Sequence, residues 1–241
     1  MEKTKTGIDG LDDILYGGIP KNRVVCLVGG PGVGKSVLGI QFLYNGVTKY
    51  DESGVYVTFE ERTSDVIENM KTMNMDLNQL IDANKLIMHS IRPRMISRIS
   101  KNSHSTNREQ LKHFGADVLL KSIKSDIESI SATRIVIDSA SGLALQTPDP
   151  FEFRQSLLKV VEEIQELNAT AIITTEHNEI SQNIVRFGIE EFITHGVIVL
   201  LQHENERSVQ VIKMRGSDIK KGKYLYEITH NGIVVHSEQR L

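Results

Sequence analysis

The sequence predicts an α/β fold in which a mostly parallel central sheet is flanked by helices. Short apolar runs alternate along the chain with segments whose apolar residues recur at helical spacing, as in strand–helix–strand crossovers. A length of 241 residues fits one large domain better than two ordinary ones. Asn231-Gly232 separates the last two apolar runs and is a strong hairpin signal. We therefore expect a single domain over residues 1–241 that ends in antiparallel strands.

The individual elements follow from these patterns. Strands are expected at the apolar runs 24–28, 55–59, 86–89, 135–138, 171–175, 197–201, 209–214, 224–228 and 233–236. Helices are expected over 37–43, from Thr63 or Ser64 to about Met73, over 111–130 and over 151–167. A hydroxyl of Thr63 or Ser64 is expected to cap the second of these helices. The last helix follows Asp149 and Pro150, which are favoured at a helix start.

Charge and composition exclude some partners. The formal charge is −3, from 28 Lys and Arg against 31 Asp and Glu, so the whole chain does not attract nucleic acid or anionic membrane. Residues 1–13 have no apolar core like that of a secretory signal. No apolar run approaches the roughly 20 residues of a membrane helix. Cys26 is the only cysteine and cannot form an intrachain disulfide, which fits a reducing compartment. We expect a cytoplasmic protein with no membrane partner.

A basic segment over residues 91–113 differs from the rest of the chain and is predicted to be a loop or an insertion. Against a lone Glu109, its cations are Arg92, Arg94, Arg98, Lys101, Arg108 and Lys112. The segment could contact phosphate backbones, line a ring pore or an interface, or be a solvated loop. Aromatic residues are 5% of the chain with no Trp, so platforms for stacking single-stranded bases are poorly supplied. A nucleic-acid partner is therefore not favoured.

The residues 29–36 read GGPGVGKS and satisfy the pattern G-x-x-x-x-G-K-[ST] between an apolar run and a helix. Glycines let backbone N–H groups turn toward phosphates, and the helix start adds its positive dipole end. Lys35 is predicted to contact the β- and γ-phosphates and Ser36 to bind Mg²⁺. The predicted nucleotide contacts are Gly30, Pro31, Gly32, Val33, Gly34, Lys35, Ser36 and Val37. ATP and Mg²⁺ are the expected cofactors, although such a loop can also bind nucleotide without catalysis.

Acidic residues follow two of the predicted strands. Asp138 ends the run 135–138, where ligands of this fold class bind, and is predicted to hold a water of the Mg²⁺ shell. Glu60 and Glu61 end the run 55–59, and ATP hydrolysis needs a group that deprotonates the attacking water. Glu60 is the predicted base and Glu61 a supporting residue, because neighbouring side chains of an extended chain diverge. The roles can swap, or the pair can simply cap the next helix.

These blocks resemble the KaiC-like branch of the RecA superfamily over nearly the whole chain. The matching blocks are TGIDGLD at 6–12, GGIP at 17–20, GGPGVGKS at 29–36, VYVTFEE at 55–61, VIDS at 136–139, TTE at 174–176, RFGIEEF at 186–192 and KMRGS at 213–217. The resemblance implies a RecA-like fold and a hexameric ring with ATP between subunits. It also implies that Lys213 and Arg215 contact the γ-phosphate held by the neighbouring subunit. The alternative is that both are surface charges on an amphipathic strand.

Two departures from the family bear on activity. The family often has a histidine three residues after the glycine of the KMRG block, where this chain has Ile219, so hydrolysis is expected to be slow. Family members that phosphorylate themselves carry a Ser–Thr pair before the strand that matches 197–201. The sequence Glu190-Glu191-Phe192-Ile193-Thr194 has no such pair, which disfavours self-phosphorylation.

Several other residues have weaker signals. Glu176 follows the run 171–175 and is either a γ-phosphate sensor or a structural residue. His177, His195 and His203 match no metal motif and are expected to be surface histidines. Phe187, Ile189 and Phe192 are expected to serve packing or an interface rather than base stacking.

The leading hypothesis is a ring-forming regulatory ATPase that signals to a protein partner which the sequence does not identify. The alternatives are a DNA-repair ATPase, which the basic segment suggests, and a nonhydrolysing ATP-binding scaffold, which Ile219 suggests.

Overall fold

The computed structural model describes residues 1–91, 120–144, 149–176, 188 and 192–241. The strands are β1 Lys3–Thr4, β2 Ile19–Pro20, β3 Val24–Gly29, β4 Gly54–Thr58, β5 Leu86–Ser90, β6 Arg134–Asp138, β7 Thr170–Glu176, β8 Gly196–His203, β9 Glu206–Met214, β10 Lys223–Thr229 and β11 Gly232–Arg240. The helices are α1 Leu11–Ile14, α2 Lys35–Tyr50, α3 Thr63–Lys71, α4 Leu77–Asp82, α5 over residues 120–130, α6 Ala140–Ala144 and α7 Pro150–Glu166.

Within the described part of the chain, nine strands form one sheet in the order β11-β10-β9-β8-β3-β7-β6-β4-β5. The strands from β8 to β5 in this order run parallel to one another, and β9, β10 and β11 pair antiparallel at one end. The predicted fold class, a mostly parallel α/β sheet with antiparallel strands at the C-terminus, is confirmed, and it has the arrangement of a RecA-like P-loop fold. β1 and β2 form a separate antiparallel pair.

Successive residues of the parallel strands point to opposite faces of the sheet, and both faces are covered. Val25 and Leu27 belong to a core beneath α2, whereas Val24 belongs to a second core with residues of α5 and α7. A strand covered on both faces is apolar at every position, which explains the continuous apolar runs in the sequence.

Helix α2 packs tightly against β6, through contacts at the middle and at the start of that strand. A Cβ added at Gly39 would lie 2.9 Å from Cγ1 of Val136, so the helix and the strand approach closely. At the far end of α2, the fully buried Arg134 donates through Nη1 to the carbonyl of Phe42 (2.8 Å) and through Nε to Oε2 of Glu52 (2.6 Å). These contacts fix α2 against β6, and predicted site residues lie at the start of that helix and at the end of that strand.

The C-terminal hairpin packs against the glycine-rich loop and against α2. Tyr226 Oη donates to the carbonyl of Val33 (2.6 Å), and Gln41 exchanges hydrogen bonds with the backbone of Ile233 (2.7 and 3.1 Å). Cδ1 of Ile228 would lie 2.9 Å from a Cβ at Gly34. The hairpin thereby holds the loop in place.

The strand predictions are confirmed to within a few residues at each end, and so is the last helix. Asp149 caps that helix, α7, by accepting from the amides of Phe151 and Glu152, both at 3.0 Å. Of the helix predicted over 111–130, the described residues 120–130 are helical, and the basic segment from residue 92 onward lies outside the described residues.

The predicted cap of α3 is wrong. Its N-cap is Arg62, whose side chain makes no capping bond, and Thr63 already lies inside the helix. The hydroxyl of Ser64 donates to Oδ1 of Asp65 (2.9 Å) instead. The preceding turn is fixed by Thr58 Oγ1, which accepts from the amides of Glu60 (3.2 Å) and Glu61 (3.1 Å). In the described ranges no helix is both long and apolar enough to cross a membrane.

Candidate functional site

Four strands bring predicted site residues to one edge of the sheet. β3, β4, β6 and β7 are parallel, so their carboxyl ends meet at the same edge, where ligands of such sheets bind. The glycine-rich loop follows β3, Glu60 and Glu61 follow β4, and Asp138 ends β6. Glu176 ends β7 and pairs with Gly29 at the start of the loop. The sheet order places β7 between the loop strand and the strand of Asp138.

The glycine-rich loop has the backbone that a phosphate cradle requires. Gly32 and Gly34 have φ of +75° and +97°, in the left-handed region that favours glycine. A Cβ added at Gly30 or Gly32 would meet no heavy atom of the described chain within 4 Å, so the space above the loop is open. Helix α2 begins at Lys35, so its first backbone N–H groups and its positive dipole end face that space.

The Lys35 ammonium lies near carboxylates from three different segments of the chain. Its Nζ donates to the carbonyls of Gly29 (2.9 Å) and Gly30 (2.8 Å). Burial lowers the pKa of the Lys35 ammonium, and the charges of Glu176, Asp138 and Glu60 act in the opposite direction and raise it. The carboxylates from β7, β6 and the segment after β4 therefore all lie within electrostatic reach of this one cation.

Asp138 is nearly buried and is held by two hydroxyl groups. Its side chain is 9% exposed. Tyr56 Oη donates to Oδ2 (2.8 Å), and Thr174 Oγ1 donates to Oδ1 (2.5 Å). Neither hydroxyl was singled out by the sequence patterns, because the contacts depend on the register of three neighbouring strands.

Glu60 and Glu61 have different surroundings although they are adjacent. Oε1 of Glu60 accepts a hydrogen bond of 2.6 Å from Ser139 Oγ, directly after Asp138. The carbonyl of Glu61 accepts from Ser90 Oγ (2.9 Å), on β5. Burial, followed by the charges of Asp138, Asp65 and Glu60, raises the pKa of the Glu61 carboxyl. Glu60 is thus the carboxylate that contacts the end of β6, and Ser139 is a further contact that the sequence patterns missed.

Lys213 and Arg215 lie at the opposite edge of the sheet from the glycine-rich loop. β9 runs antiparallel to β8, so Lys213 pairs with Val197, which pairs with Cys26 near the start of β3. This position is about 10 Å along the strands and about 10 Å across them from Gly29. Lys213 Nζ donates to the carbonyl of Thr194 (2.8 Å). The site within one chain therefore does not include either cation.

The surroundings of Arg215 are exposed. Its Nη2 donates to the carbonyl of Phe192 (3.2 Å), and the ring of Phe192 is 63% exposed. Of the two expected roles of Phe192, packing or an interface, the exposed ring favours the interface. Its role in an interface stays a prediction, and Phe187 and Ile189 lie outside the described residues.

His195 lies at the same edge, and the expectation that it is a surface histidine is wrong. It is 9% exposed, and its Nδ1 accepts a hydrogen bond from the amide of Val24 (3.2 Å), because β8 begins beside the start of β3. Burial, followed by the charges of Arg23, Arg215 and Lys213, lowers the pKa of His195 to about 4. His203 is exposed, and His177 lies outside the described residues.

The low pKa of His195 predicts a pH-dependent loss of stability. A histidine whose folded pKa lies below its unfolded value of about 6.5 destabilises the fold as pH falls through that interval. We expect the free energy of unfolding to drop between pH 6.5 and about 4, by roughly 3 kcal/mol at full protonation. When the free energy of unfolding is measured by denaturant unfolding across this pH range, it should fall less steeply with pH for His195→Gln than for the wild type. The exposed control His203→Gln should keep the wild-type slope, and equal slopes in all three proteins would contradict the prediction.

The donor set at the carboxyl edge fits magnesium bound together with a nucleotide. Ser36 and Asp138 offer a hydroxyl and a carboxylate, and Mg²⁺ prefers oxygen ligands. Across residues 1–91, 120–144, 149–176 and 192–241, no three His, Cys, Asp or Glu side chains are grouped as a metal cage. Mg²⁺ is commonly bound by one or two protein oxygens, with phosphates and waters completing the octahedron, so these two residues suffice.

Comparisons with known proteins agree with this arrangement. The family model described as "ATPase: KaiC" matches residues 4–240. Circadian clock oscillator protein KaiC 1 of Synechocystis sp. is 35% identical to this chain over 237 residues, which are 97% of this chain and 44% of the relative. KaiC of Synechococcus elongatus gives the same values. KaiC of Prochlorococcus marinus is 30% identical over 239 residues, 98% of this chain and 45% of the relative.

The chain spans less than half the length of these curated relatives. The family model nevertheless covers nearly all of it, including the glycine-rich loop, Asp138 and the Lys213–Arg215 strand end. The chain belongs to the KaiC ATPase family.

Proposed function

We propose that this protein binds ATP with Mg²⁺ at the glycine-rich loop and hydrolyses it to ADP and phosphate. The observation that carries the proposal is that Asp138 and Glu60 lie within electrostatic reach of Lys35, beside a glycine-rich loop whose outer side is open. The three residues come from α2, β6 and the segment after β4, and the charges of both acids act on the Lys35 ammonium. A cation, a metal-binding carboxylate and a candidate base at one loop are the parts that phosphoryl transfer needs.

Each part has a distinct role in this proposal. The amides of residues 30–37 and the Lys35 ammonium bind the β- and γ-phosphates. Ser36 and Asp138 hold Mg²⁺, which when bound neutralises charge on the β- and γ-phosphate oxygens. Glu60 accepts a proton from the attacking water as the water oxygen bonds to the γ-phosphorus. The bond from the γ-phosphorus to the β–γ bridging oxygen breaks, and ADP leaves with that oxygen.

Ser139 holds Glu60 in place for this role. Its hydroxyl is 2% exposed and donates to one oxygen of Glu60, so the other oxygen is left to contact the water. Glu61, whose pKa is raised, is the alternative base if the turn after β4 rearranges when nucleotide binds.

We propose further that the working unit is a homo-oligomeric ring, a hexamer by family resemblance, with the site shared between subunits. Lys213 and Arg215 lie at the edge opposite to their own loop, so within this proposal they act on the γ-phosphate held by a neighbouring subunit. A positively charged finger from a neighbour stabilises the transition state and makes hydrolysis depend on assembly. Ile219 packs against the apolar core and stands where the family often has a histidine near the phosphates, and the loss of that histidine supports slow turnover.

We propose a regulatory role for this slow ATPase, because the names of its relatives indicate such a role. The relatives are named circadian clock oscillator proteins, and we extend only the regulatory character to this chain. We propose that residues 1–241 act as one cytoplasmic domain and that the nucleotide state of the ring is sensed by a protein partner.

The proposal predicts that ATP binding depends on Lys35. Lys35→Ala should weaken ATP binding by roughly 10- to 100-fold, because a charge-assisted hydrogen bond contributes about 1.5–3 kcal/mol. Calorimetric titration of the wild type and the variant with MgATP measures this difference. Lys71→Ala, which removes an exposed lysine from α3, is the matched control and should bind as the wild type does.

Two outcomes would separate the candidate functions. Failure of the wild type to bind any nucleoside triphosphate would overturn the proposal as a whole. Tight binding without phosphate release by assembled protein would favour a nonhydrolysing scaffold over an ATPase.

A further inference from the structure

The Asp138 carboxylate is held at both of its oxygens by hydroxyls from the two strands that flank β6. Tyr56, on β4, donates to Oδ2, and Thr174, on β7, donates to Oδ1. From this geometry we propose that Tyr56 and Thr174 are positioning residues that orient Asp138 toward the magnesium ion. The inference rests on the proposed function, since it concerns how that site holds its metal.

The register of the three strands explains how both hydroxyls reach the same carboxylate. Tyr56 pairs with Val136, two residues before Asp138, and the two positions lie on the same face of the sheet. Two residues of strand span about 6.5 Å, which is close to the length of a tyrosine side chain beyond its Cβ. Thr174 follows Ile173, which pairs with Ile137, so its short hydroxyl lies level with Asp138.

Burial makes these two bonds decisive for the orientation of the carboxylate. Tyr56 is 1% exposed and Thr174 is 0% exposed, so bulk water does not readily replace either hydroxyl. A nearly buried carboxylate with an unsatisfied oxygen is costly, and rotation of the Asp138 side chain would break both bonds together. The carboxylate is therefore fixed in one plane.

The arrangement leaves the carboxylate able to act on a metal. An ionised carboxylate has about four acceptor sites, and the two hydroxyls occupy one on each oxygen. Residues that orient a metal-binding group by hydrogen bonds typically change metal affinity by 10- to 100-fold when they are removed. Tyr56 and Thr174 have this relation to Asp138.

The test compares how much Mg²⁺ strengthens nucleotide binding in the wild type and in its variants. The affinity for the nonhydrolysable analogue AMP-PNP is measured by calorimetry with saturating Mg²⁺ and with EDTA, and the ratio of the two affinities is compared. Tyr56→Phe and Thr174→Val should each reduce that ratio about tenfold, with the affinity in EDTA within about twofold of wild type. Tyr224→Phe is the control, because Tyr224 is 2% exposed and its hydroxyl donates to the carbonyl of Lys221 instead (3.1 Å).

A purely structural role would give a different pattern. It would weaken binding in EDTA and lower the melting temperature while leaving the ratio unchanged, and that result overturns the inference. Thr174→Ser keeps a hydroxyl and should restore the wild-type ratio, which decides the case if Tyr56→Phe does not fold. If the wild type binds AMP-PNP with a magnesium-dependent gain but both variants keep it, only this inference fails. If the wild type binds no nucleotide, the proposed function fails with it.

Discussion

Replacing Glu60 with glutamine is expected to slow ATP turnover by roughly 10²-fold or more. The amide cannot accept the proton of the attacking water, and a positioned general base contributes about 10²- to 10⁴-fold to such a reaction. Glutamine is close in shape to glutamate and keeps an oxygen that can accept from Ser139 Oγ, so the surrounding geometry should persist. ATP affinity should therefore stay close to that of the wild type.

Steady-state phosphate release at saturating MgATP measures this effect. Glu68→Gln makes the same chemical change at an exposed position of α3 and should leave the rate unaltered. Glu61→Gln decides between the two neighbouring acids. A large loss for Glu61→Gln with a normal rate for Glu60→Gln would assign the base to Glu61, and normal rates for both would remove the carboxylate from the mechanism.

Arg215→Ala should reduce turnover on the order of 10³-fold in assembled protein, the lower range for loss of an arginine finger. The exposed guanidinium lies at the edge opposite to its own loop, so the loss should appear in the rate rather than in ATP binding by a single chain. Phosphate release and ATP affinity, measured on the same samples, separate these two effects. Arg154→Ala, which removes an exposed arginine from α7, is the matched control.

Mixing two inactive variants tests the shared site directly. In a mixed ring, an Arg215→Ala subunit supplies an intact loop and Glu60, and an adjacent Glu60→Gln subunit supplies Arg215. Phosphate release should therefore recover in the mixture although each variant alone is nearly inactive. Absence of recovery in mixtures that demonstrably co-assemble would mean that Arg215 does not act on a neighbour's nucleotide.

The sequence predicted the elements whose patterns are local. The glycine-rich loop is predictable from sequence because phosphate binding constrains consecutive residues. The buried strands are predictable because both of their faces are apolar. The hairpin at Asn231-Gly232 was predicted for a similar reason, since Gly232 has a φ of +97° that the turn requires. The capping of α7 by Asp149 likewise depends only on neighbouring residues.

The sequence did not predict the contacts that depend on strand register. Tyr56 and Thr174 meet at Asp138 only because β4 and β7 flank β6, and nothing near either residue in the chain indicates this. The buried position of His195 depends in the same way on the pairing of β8 with β3. The hairpin between β8 and β9, where Glu204 has a φ of 52°, has no glycine to mark it. The placement of Lys213 and Arg215 at the far edge therefore emerged only from the fold.

We propose that this chain hydrolyses ATP at sites completed by a second copy of itself. The most direct test of this proposal is the rate of phosphate release per chain across a dilution series, with the assembly state measured on the same samples. We expect the rate per chain to rise with protein concentration in step with the assembled fraction. A rate per chain that is the same for dissociated and assembled protein, or no release from assembled protein at all, would contradict it.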